Sequence, residues 1–400
     1  MSGNRQRGGG AGWLWWRIAR ASVIGTVLGV ALQPWTVNVA EAVRETVSAS
    51  RTEWPKTDFS KRSVEMSEIM SGGPPKDGIP PIDRPRFAAP AAVSSWLMPS
   101  EPVVALEIGG DARAYPLQIL TYHEIVNDTV GGTPVAVTFC PLCNAAIAFD
   151  RRVKGRTLDF GTTGRLRKSD LVMYDRQTES WWQQFSGEAI VGEFTGTVLT
   201  QLPATIVAFE EFRRAYPDGK VLTRETGFSR PYGRNPYRGY DRVGETPFLF
   251  NDPVDPRLPA MERVLNVSEG KRHRVYPFRM LVVEPVINDI VGGEPIVVLS
   301  KGGMNSALDD EHIAASRQIP AAAAYSRRLG DRILTFRGES GDFMDSETGS
   351  RWNLLGHAVS GPLKGKRLRK VDGGVHFAFA WLAFNPDSEI YGQHAPKGER

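Results

Sequence analysis

The chain has 400 residues, of which 41% are hydrophobic and 24% are charged, and its formal net charge is +4. This composition excludes a disordered tail and can supply a sizeable core, in two or three globular units. Four arginines against Glu41 give residues 1–42 a net charge of +3, which leaves +1 for the remainder. There is therefore no general electrostatic case for nucleic-acid binding.

The first 42 residues have the pattern of a secretory signal peptide. Arg17 and Arg20 precede an apolar run at residues 21–32, and the Ala-Glu-Ala sequence at 40–42 offers a small-x-small cleavage site. The alternative is an uncleaved anchor, but the two arginines interrupt the apolar stretch short of the ~20 residues that a span needs. The sequence predicts an exported protein, periplasmic or extracellular, with membrane contact only through this segment if it is retained.

Residues 43–102 form a lead-in that is rich in Pro, Gly, Ser and charge and has no sustained period, which predicts a segment draped over the core. The stretch "PVVALEIGGDARAYPL" then alternates around a Gly-Gly pair and predicts a β-hairpin. The apolar spacing of "PLQILTYHEIVND" predicts a helical turn, followed by a tight turn at Gly131-Gly132 and the strand "PVAVTF". Further strands are predicted at "TLDFGTTG" and "ILTFRGES", and amphipathic helices at "ATIVAFEEFRRAYPDG" and "HFAFAWLAFNPDS".

An internal repeat is the most informative feature of the sequence. An offset of 161 residues places "RAYPLQILTYHEIVNDTVGG" over "RVYPFRMLVVEPVINDIVGG", and the match resumes further on at an offset near 170. The predicted fold is therefore α+β and β-rich, with two tandem, diverged repeats of one strand-rich unit with short helices. The repeats span 103–225 and 260–395.

The connector between the repeats, residues 226–259, is rich in Gly, Pro, Tyr and Arg and has no periodicity. One interpretation is a long ordered connection. The other is that Arg230, Arg234 and Arg238, interleaved with tyrosines, form the wall of an anion or ligand site, since such loops often carry function.

Both cysteines of the chain, Cys140 and Cys143, lie in the first repeat as a Cys-Pro-Leu-Cys motif. A disulfide across so small a loop adds little stability, so stapling is a weak reason for the pair. The second repeat has Lys301 and Met304 at these positions and no histidine at the position of His123. We therefore expect the first repeat to carry the chemistry and the second to be scaffold or a substrate-shaping wall.

Three chemistries fit His123, Cys140 and Cys143. The cysteines can be a thiol-disulfide redox pair, in which the Cys-x-x-Cys geometry lowers the pKa of the first thiol. The three side chains can instead bind a soft or borderline metal ion such as copper or zinc, with Met173 as a further ligand. Cys140 can also be the nucleophile of a hydrolase or transferase with His123 as its base. The rival from another class is a non-catalytic binding or scaffold module, and the expected partner is a small molecule, a metal or a redox protein.

The polar stretch "GTTGRLRKSDLVMYDRQTESWWQQFSG" supplies two further candidate catalytic residues. Arg165 and its basic neighbours are expected to bind an anionic group or to lower a thiol pKa, and Asp175 is expected to position other groups. Ser169 and Asp170 are interpreted as caps of the next element. The alternative is a solvated hairpin with an aromatic anchor.

The sequence resembles the bacterial and archaeal proteins grouped as domain of unknown function 3179. The resemblance rests on "AYPLQILTYHEIVND", "VAVTFCPLCNAAIAFDR", "LVMYDRQTESWWQQFSGEAIVG" and "RPYGRNPYRGYD", which with the lead-in cover most of the chain beyond the signal. Some members lack the second cysteine and others are labelled selenoproteins, which implies that Cys140 is the indispensable group and favours redox or soft-metal chemistry. The resemblance supplies no substrate. It implies that six residues stand in signature positions: His123, Cys140, Arg165, Asp175, Trp182 and Gly187.

Overall fold

A computed structural model describes residues 52–393 of the chain, and most of its elements are short β-strands. The signal predicted for residues 1–42 lies outside this range. Within it, no helix has both the length and the apolar character required to cross a membrane. The fold is β-rich α+β, as predicted, and the described residues belong to one compact unit. The division at residues 225 and 260 stays a prediction; below, residues 52–225 are called the N-terminal half and residues 260–393 the C-terminal half.

The strands are distributed over both halves. Those of the N-terminal half are β1 Ile69–Ser71, β2 Phe87–Ala88, β3 Pro102–Ile108, β4 Asp111–Pro116, β5 Ile125–Val130, β6 Thr133–Cys140, β7 Ala145–Asp150, β8 Arg152–Val153, β9 Arg156–Thr157, β10 Phe160–Arg167, β11 Asp170–Asp175, β12 Trp181–Gln183, β13 Ala189–Val191, β14 Gln201–Leu202, β15 Thr205–Ala208 and β16 Lys220–Leu222. Those of the C-terminal half are β17 Arg263–Glu269, β18 Arg272–Pro277, β19 Val286–Val291, β20 Glu294–Asn305, β21 Gln318–Ser326, β22 Arg328–Leu329, β23 Arg332–Ile333, β24 Phe336–Glu339, β25 Asp342–Asp345, β26 Arg351–Trp352, β27 Ala358–Ser360, β28 Val375–Phe377 and β29 Glu389–Ile390.

The helices are short and lie beside the sheets. They are α1 Pro90–Val93, α2 Leu117–His123, α3 Phe209–Ala215, α4 Phe278–Val283 and α5 Ala378–Phe384, with 3₁₀ turns at Met66–Glu68 and Ile313–Ala315. The prediction of a helix over the whole of "ATIVAFEEFRRAYPDG" is wrong at its start. Its β-branched residues form β15, which pairs with β3, and the helix α3 begins only at Phe209.

Three sheets build the N-terminal half, in the orders β1-β10-β11-β12-β13, β14-β7-β6-β5 and β15-β3-β4-β16-β2. The C-terminal half has sheets in the orders β28-β17-β18-β29, β19-β20-β21 and β24-β25-β26-β27, and two small hairpins, β8-β9 and β22-β23, complete the set. Neighbouring strands are antiparallel except β4 with β16 and β18 with β29. The Gly131-Gly132 turn between β5 and β6 is confirmed. Gly131 has φ +53, and a Cβ there would lie 2.1 Å from the Ile108 carbonyl oxygen.

The largest hydrophobic core is continuous through both halves and includes Val137, Phe139, Val264 and Phe377. The described part of the lead-in packs on the rest of the N-terminal half. Trp54 is fully buried against the ring of Trp181, with the ring centroids 5.3 Å apart. Further along, the Ile82 backbone N–H donates to the Ile125 carbonyl at 2.9 Å, which covers an edge of β5. The β6–β7 and β10–β11 turns contact the connector, through Tyr240 and Phe248 respectively.

Candidate metal centre

The two cysteines lie at the turn of the β6–β7 hairpin. Cys140 ends β6 and pairs with Ala145, so four residues form the loop, and the Asn144 N–H donates to the Pro141 carbonyl at 3.2 Å. Asn144 has φ +51, a left-handed conformation that asparagine tolerates better than most residues. The loop turns both side chains inward, and Cys140 and Cys143 are 1% and 0% exposed. β6 is followed directly by β7 in the described chain, so no helix N-terminus stabilises a thiolate at Cys140.

The β10–β11 turn brings a backbone carbonyl to both sulfurs. Its two central residues, Lys168 and Ser169, have φ +53 and +66, as in the two-residue turns that favour positive φ. The Ser169 carbonyl accepts from Cys140 Sγ at 3.7 Å and from Cys143 Sγ at 3.3 Å. Ser169 Oγ donates to the Phe248 carbonyl of the connector at 2.6 Å, which fixes the turn.

Asp170 places a carboxylate beside the two sulfurs. It is the first residue of β11 and is fully buried. Its Oδ2 accepts from Gln183 Nε2 at 2.6 Å and from the Phe185 N–H at 2.9 Å. Its Oδ1 has no hydrogen-bond partner among residues 52–393. One carboxylate oxygen and the sulfurs of Cys140 and Cys143 all lie within 4.8 Å of one another.

Burial governs the electrostatics of this cluster. It raises the pKa of the Cys140 thiol and raises the pKa of the Cys143 thiol further, while the nearby acids add to the effect. Burial also raises the pKa of Asp170 to about 7, and burial with repulsion from Asp170 raises the pKa of Glu124 to about 8. Both thiols are therefore protonated at neutral pH. The expectation of a low thiol pKa is wrong, because burial outweighs the influence of the Cys-x-x-Cys spacing.

His123 is buried, but its ring nitrogens are used elsewhere. Nδ1 lies 2.7 Å from the Pro80 carbonyl and Nε2 lies 2.6 Å from the Tyr232 hydroxyl. His123 therefore ties the lead-in to the connector, and burial lowers its pKa. Asp170, rather than His123, is the third member of the cysteine cluster. To act as a metal ligand or a base, as expected, His123 would have to break both of these hydrogen bonds.

Arg165 and Asp175 belong to other networks. Arg165 lies over the ring of Trp181 and pairs with Glu53 at 3.2 Å. Asp175 is buried and accepts from the Trp182 indole N–H at 3.0 Å, an arrangement that orders the turn between β11 and β12. Met173 is fully buried in the hydrophobic core. Neither Arg165 nor Asp175 is part of the cysteine cluster, so a direct effect of Arg165 on the thiol pKa has no support from its contacts.

The connector arginines pair with acids of the C-terminal half. Arg234 lies 2.6 Å from a Glu311 oxygen and Arg238 lies 3.9 Å from an Asp310 oxygen. These contacts favour the ordered connection over an anion site. The connector also reaches the cysteine loop, since the Tyr240 hydroxyl donates to the Leu142 carbonyl at 3.1 Å.

Comparison with known proteins gives one match. The family model described as a protein of unknown function, DUF3179, matches residues 76–388. This chain belongs to the DUF3179 family. No curated protein and no solved structure matches it. The resemblance inferred from the motifs is confirmed, and Cys140, Cys143 and Asp170 all lie within the region that the DUF3179 model covers.

Proposed function

We propose that this DUF3179 protein binds a zinc ion between the sulfurs of Cys140 and Cys143 and the carboxylate of Asp170. The observation that carries the proposal is Asp170 Oδ1, a fully buried oxygen without a hydrogen-bond partner among the described residues, in a cluster with two sulfurs. A buried, unpaired carboxylate oxygen costs free energy unless a proton or a cation binds it. A metal ion would satisfy this oxygen and both sulfurs together.

The raised thiol pKa values favour metal binding over a free nucleophile. A redox or acyl-transfer cysteine needs a thiolate in the absence of metal, whereas burial raises the pKa of both thiols. A bound metal ion deprotonates its cysteine ligands itself, so it does not require a low pKa in the metal-free protein. The same burial therefore opposes the redox and hydrolase alternatives and is compatible with the metal alternative.

The donor set suits zinc better than copper(I). Zinc accepts thiolate sulfur and carboxylate oxygen together, whereas copper(I) prefers sulfur ligands. Three protein ligands leave the fourth tetrahedral position for water or a substrate atom, as in catalytic rather than structural zinc sites. The Ser169 carbonyl, which accepts from both thiols, lies beside the two sulfurs.

We also propose that the two halves arose by duplication of one unit. The bounds of β3 and β17 differ by 161 residues at both ends, as do those of β5 and β19. Buried hydrogen bonds recur as well: Tyr115 to Asp128 at 2.6 Å corresponds to Tyr276 to Asp289 at 2.7 Å.

In this scheme a lysine takes the place of Cys140 in the C-terminal half. Lys301 Nζ lies 2.9 Å from Asp342 and 3.0 Å from Glu211. The Lys301 ammonium group therefore lies between two carboxylates, at the position that corresponds to Cys140 in the N-terminal half. By analogy, this supports the binding of a metal ion from solution at the cysteine cluster.

Export remains part of the proposal, on the basis of the signal-like pattern of residues 1–42. In an oxidising compartment two adjacent thiols can be oxidised to a disulfide. A bound metal ion would hold both as ligands and protect them.

The test is metal analysis of protein purified without chelator. We expect one zinc per chain in the wild type, and loss of zinc in Cys140→Ser, Cys143→Ser and Asp170→Asn. Asp342→Asn is the matched control, because it removes a carboxylate beside Lys301 in the C-terminal half, and it should retain zinc. Substitution by cobalt should give the intense absorption of tetrahedral thiolate coordination. Absence of metal in the wild type, or equal zinc loss in the control, would refute the proposal.

A further inference from the structure

A cavity of about 510 Å³ lies between the two halves, beside the cysteine cluster. Its walls come from the lead-in, from β10 and its following turn, from the turn between β12 and β13, and from β17, β28 and α5 of the C-terminal half. The volume is within the range of small-molecule sites, which are frequently found between structural units. Because both halves form it, neither half alone can provide this site.

One side of the cavity is aromatic. Phe185 stacks on Phe384 with the ring centroids 5.0 Å apart. The Phe185 ring centroid also lies 4.6 Å from that of His376 and 5.7 Å from that of Trp381. Phe185 and Trp381 are 8% and 7% exposed. Phe384 already lies beside two cations, since Arg167 and Lys168 approach its ring at 5.6 Å and 5.5 Å. Such a wall accepts an apolar body or a cationic group.

The charges of the cavity differ in whether they have partners. Arg167 pairs with Glu68 at 2.7 Å, and the Lys168 ammonium donates to the Ala383 carbonyl at 2.8 Å. Glu188 and Asp372 also line the cavity, and neither carboxylate forms a salt bridge with another described residue. Burial raises the pKa of Asp372, while the nearby Lys370 and His273 lower it. The cations Arg167 and Lys168 thus already have partners, whereas no described side chain is in ion-pair contact with either carboxylate, so the contact still open to a charged ligand is one with a cation.

We infer that this cavity binds a small organic cation, an amine with an apolar or aromatic body. The ammonium group would lie near Glu188 and Asp372, and the body would pack against Phe185, Trp381 and Phe384. The inference rests on the cavity and its unpaired carboxylates and does not require a metal ion.

The cavity and the cysteine cluster share a wall. The Phe185 N–H donates to Asp170 Oδ2 at 2.9 Å, and the Phe377 N–H donates to the Cys143 carbonyl at 2.9 Å. His376, which precedes Phe377, lines the cavity. A molecule in the cavity would therefore contact Phe185, whose N–H binds Asp170, and His376, whose neighbour Phe377 binds the Cys143 carbonyl.

The experiment is a calorimetric titration of the whole protein with phenethylammonium, and with hydrocinnamate and phenethyl alcohol as anionic and neutral analogues. We expect saturable binding of the amine and weaker binding of both analogues. Asp372→Asn and Glu188→Gln should each weaken amine binding about fivefold, the effect of losing one partly exposed ion pair. Phe384→Leu should weaken it as well.

Asp331→Asn is the matched control, since Asp331 is exposed, lies outside the cavity and should not affect the amine. Hydrocinnamate binding as tight as that of the amine would overturn the inference. So would the absence of saturable amine binding, or unchanged binding in both carboxylate variants. The titration is performed on chelator-treated protein, so its result is independent of the zinc measurement.

Discussion

Replacing Asp170 by asparagine should stabilise the metal-free protein while it abolishes zinc binding. Asparagine keeps an oxygen for the Gln183 and Phe185 donors that Asp170 Oδ2 accepts. Its amide replaces the unpaired Oδ1 with a donor that faces the sulfurs. The substitution therefore removes a buried charge without leaving its former donors unpaired.

The magnitude and the pH dependence follow from the pKa of Asp170, which burial raises from 3.8 to about 7. A shift of about 3 units corresponds to about 4 kcal/mol, at about 1.4 kcal/mol per unit. Below pH 3.8 the carboxyl is protonated in both states. Between 3.8 and about 7 the unfolded chain loses its proton while the folded chain keeps it, so the free energy of unfolding falls as pH rises. Above about 7 the loss is complete, and we expect Asp170→Asn to recover about 2 kcal/mol or more of it.

Urea unfolding of chelator-treated wild type and variant, at a series of pH values from about 4 to 8, measures this difference. The variant's advantage should grow up to about pH 7 and then level off. Saturating zinc should reverse the order, because a ligand that binds only the folded state stabilises it by mass action. The reasoning is refuted if metal-free Asp170→Asn is less stable than the wild type at about pH 8, or if zinc stabilises both proteins equally.

Substitutions at three other positions test the remaining assignments. His123→Gln should retain one zinc per chain by metal analysis but lower the free energy of unfolding by about 1–3 kcal/mol, because the fully buried imidazole ring and its bonds to the Pro80 carbonyl and the Tyr232 hydroxyl are lost. Asn144→Ala should lower it by about 1 kcal/mol in urea titrations and Asn144→Gly by less, since only glycine tolerates φ +51 freely. Asp175→Asn should lower it by about 1–3 kcal/mol with zinc content unchanged, because both Asp175 oxygens accept hydrogen bonds, and the asparagine NH2 group would face either the Thr178 N–H or the Trp182 indole N–H.

Local chemistry made much of the fold predictable from the sequence. The hairpin at "PVVALEIGGDARAYPL" is confirmed as β3 and β4, because alternation and a Gly-Gly pair specify both strands and their turn. The helical turn at "PLQILTYHEIVND" is confirmed as α2, which ends at His123 because Glu124 takes φ +57. In these segments the neighbours that decide the conformation are close in sequence.

Asp170 could not be assigned to the cysteines from the sequence, although a signal for its local structure was present. The Lys168-Ser169 pair lies between two strand-like runs, a pattern that indicates a hairpin turn. The interpretation of Ser169 and Asp170 as caps is wrong, because Asp170 begins the strand β11 and Ser169 Oγ donates to the connector. Which hairpin tip meets the Cys140 loop depends on sheet packing, which no local pattern encodes. The same limit applies to Arg165, whose acidic partner Glu53 lies in the lead-in.

The connector, which has no periodicity, explains how the two strained turns are held together. Positive φ at Asn144 and Ser169 costs free energy, which the surrounding structure must offset. Tyr240 donates to the Leu142 carbonyl of one turn, while the Phe248 carbonyl accepts from Ser169 Oγ of the other. The Phe248 N–H in turn donates to the Tyr240 hydroxyl at 3.2 Å, so a single connector segment fastens both turns. The arrangement of Cys140, Cys143 and Asp170 therefore depends on the connector as well as on the sheets that carry the three side chains.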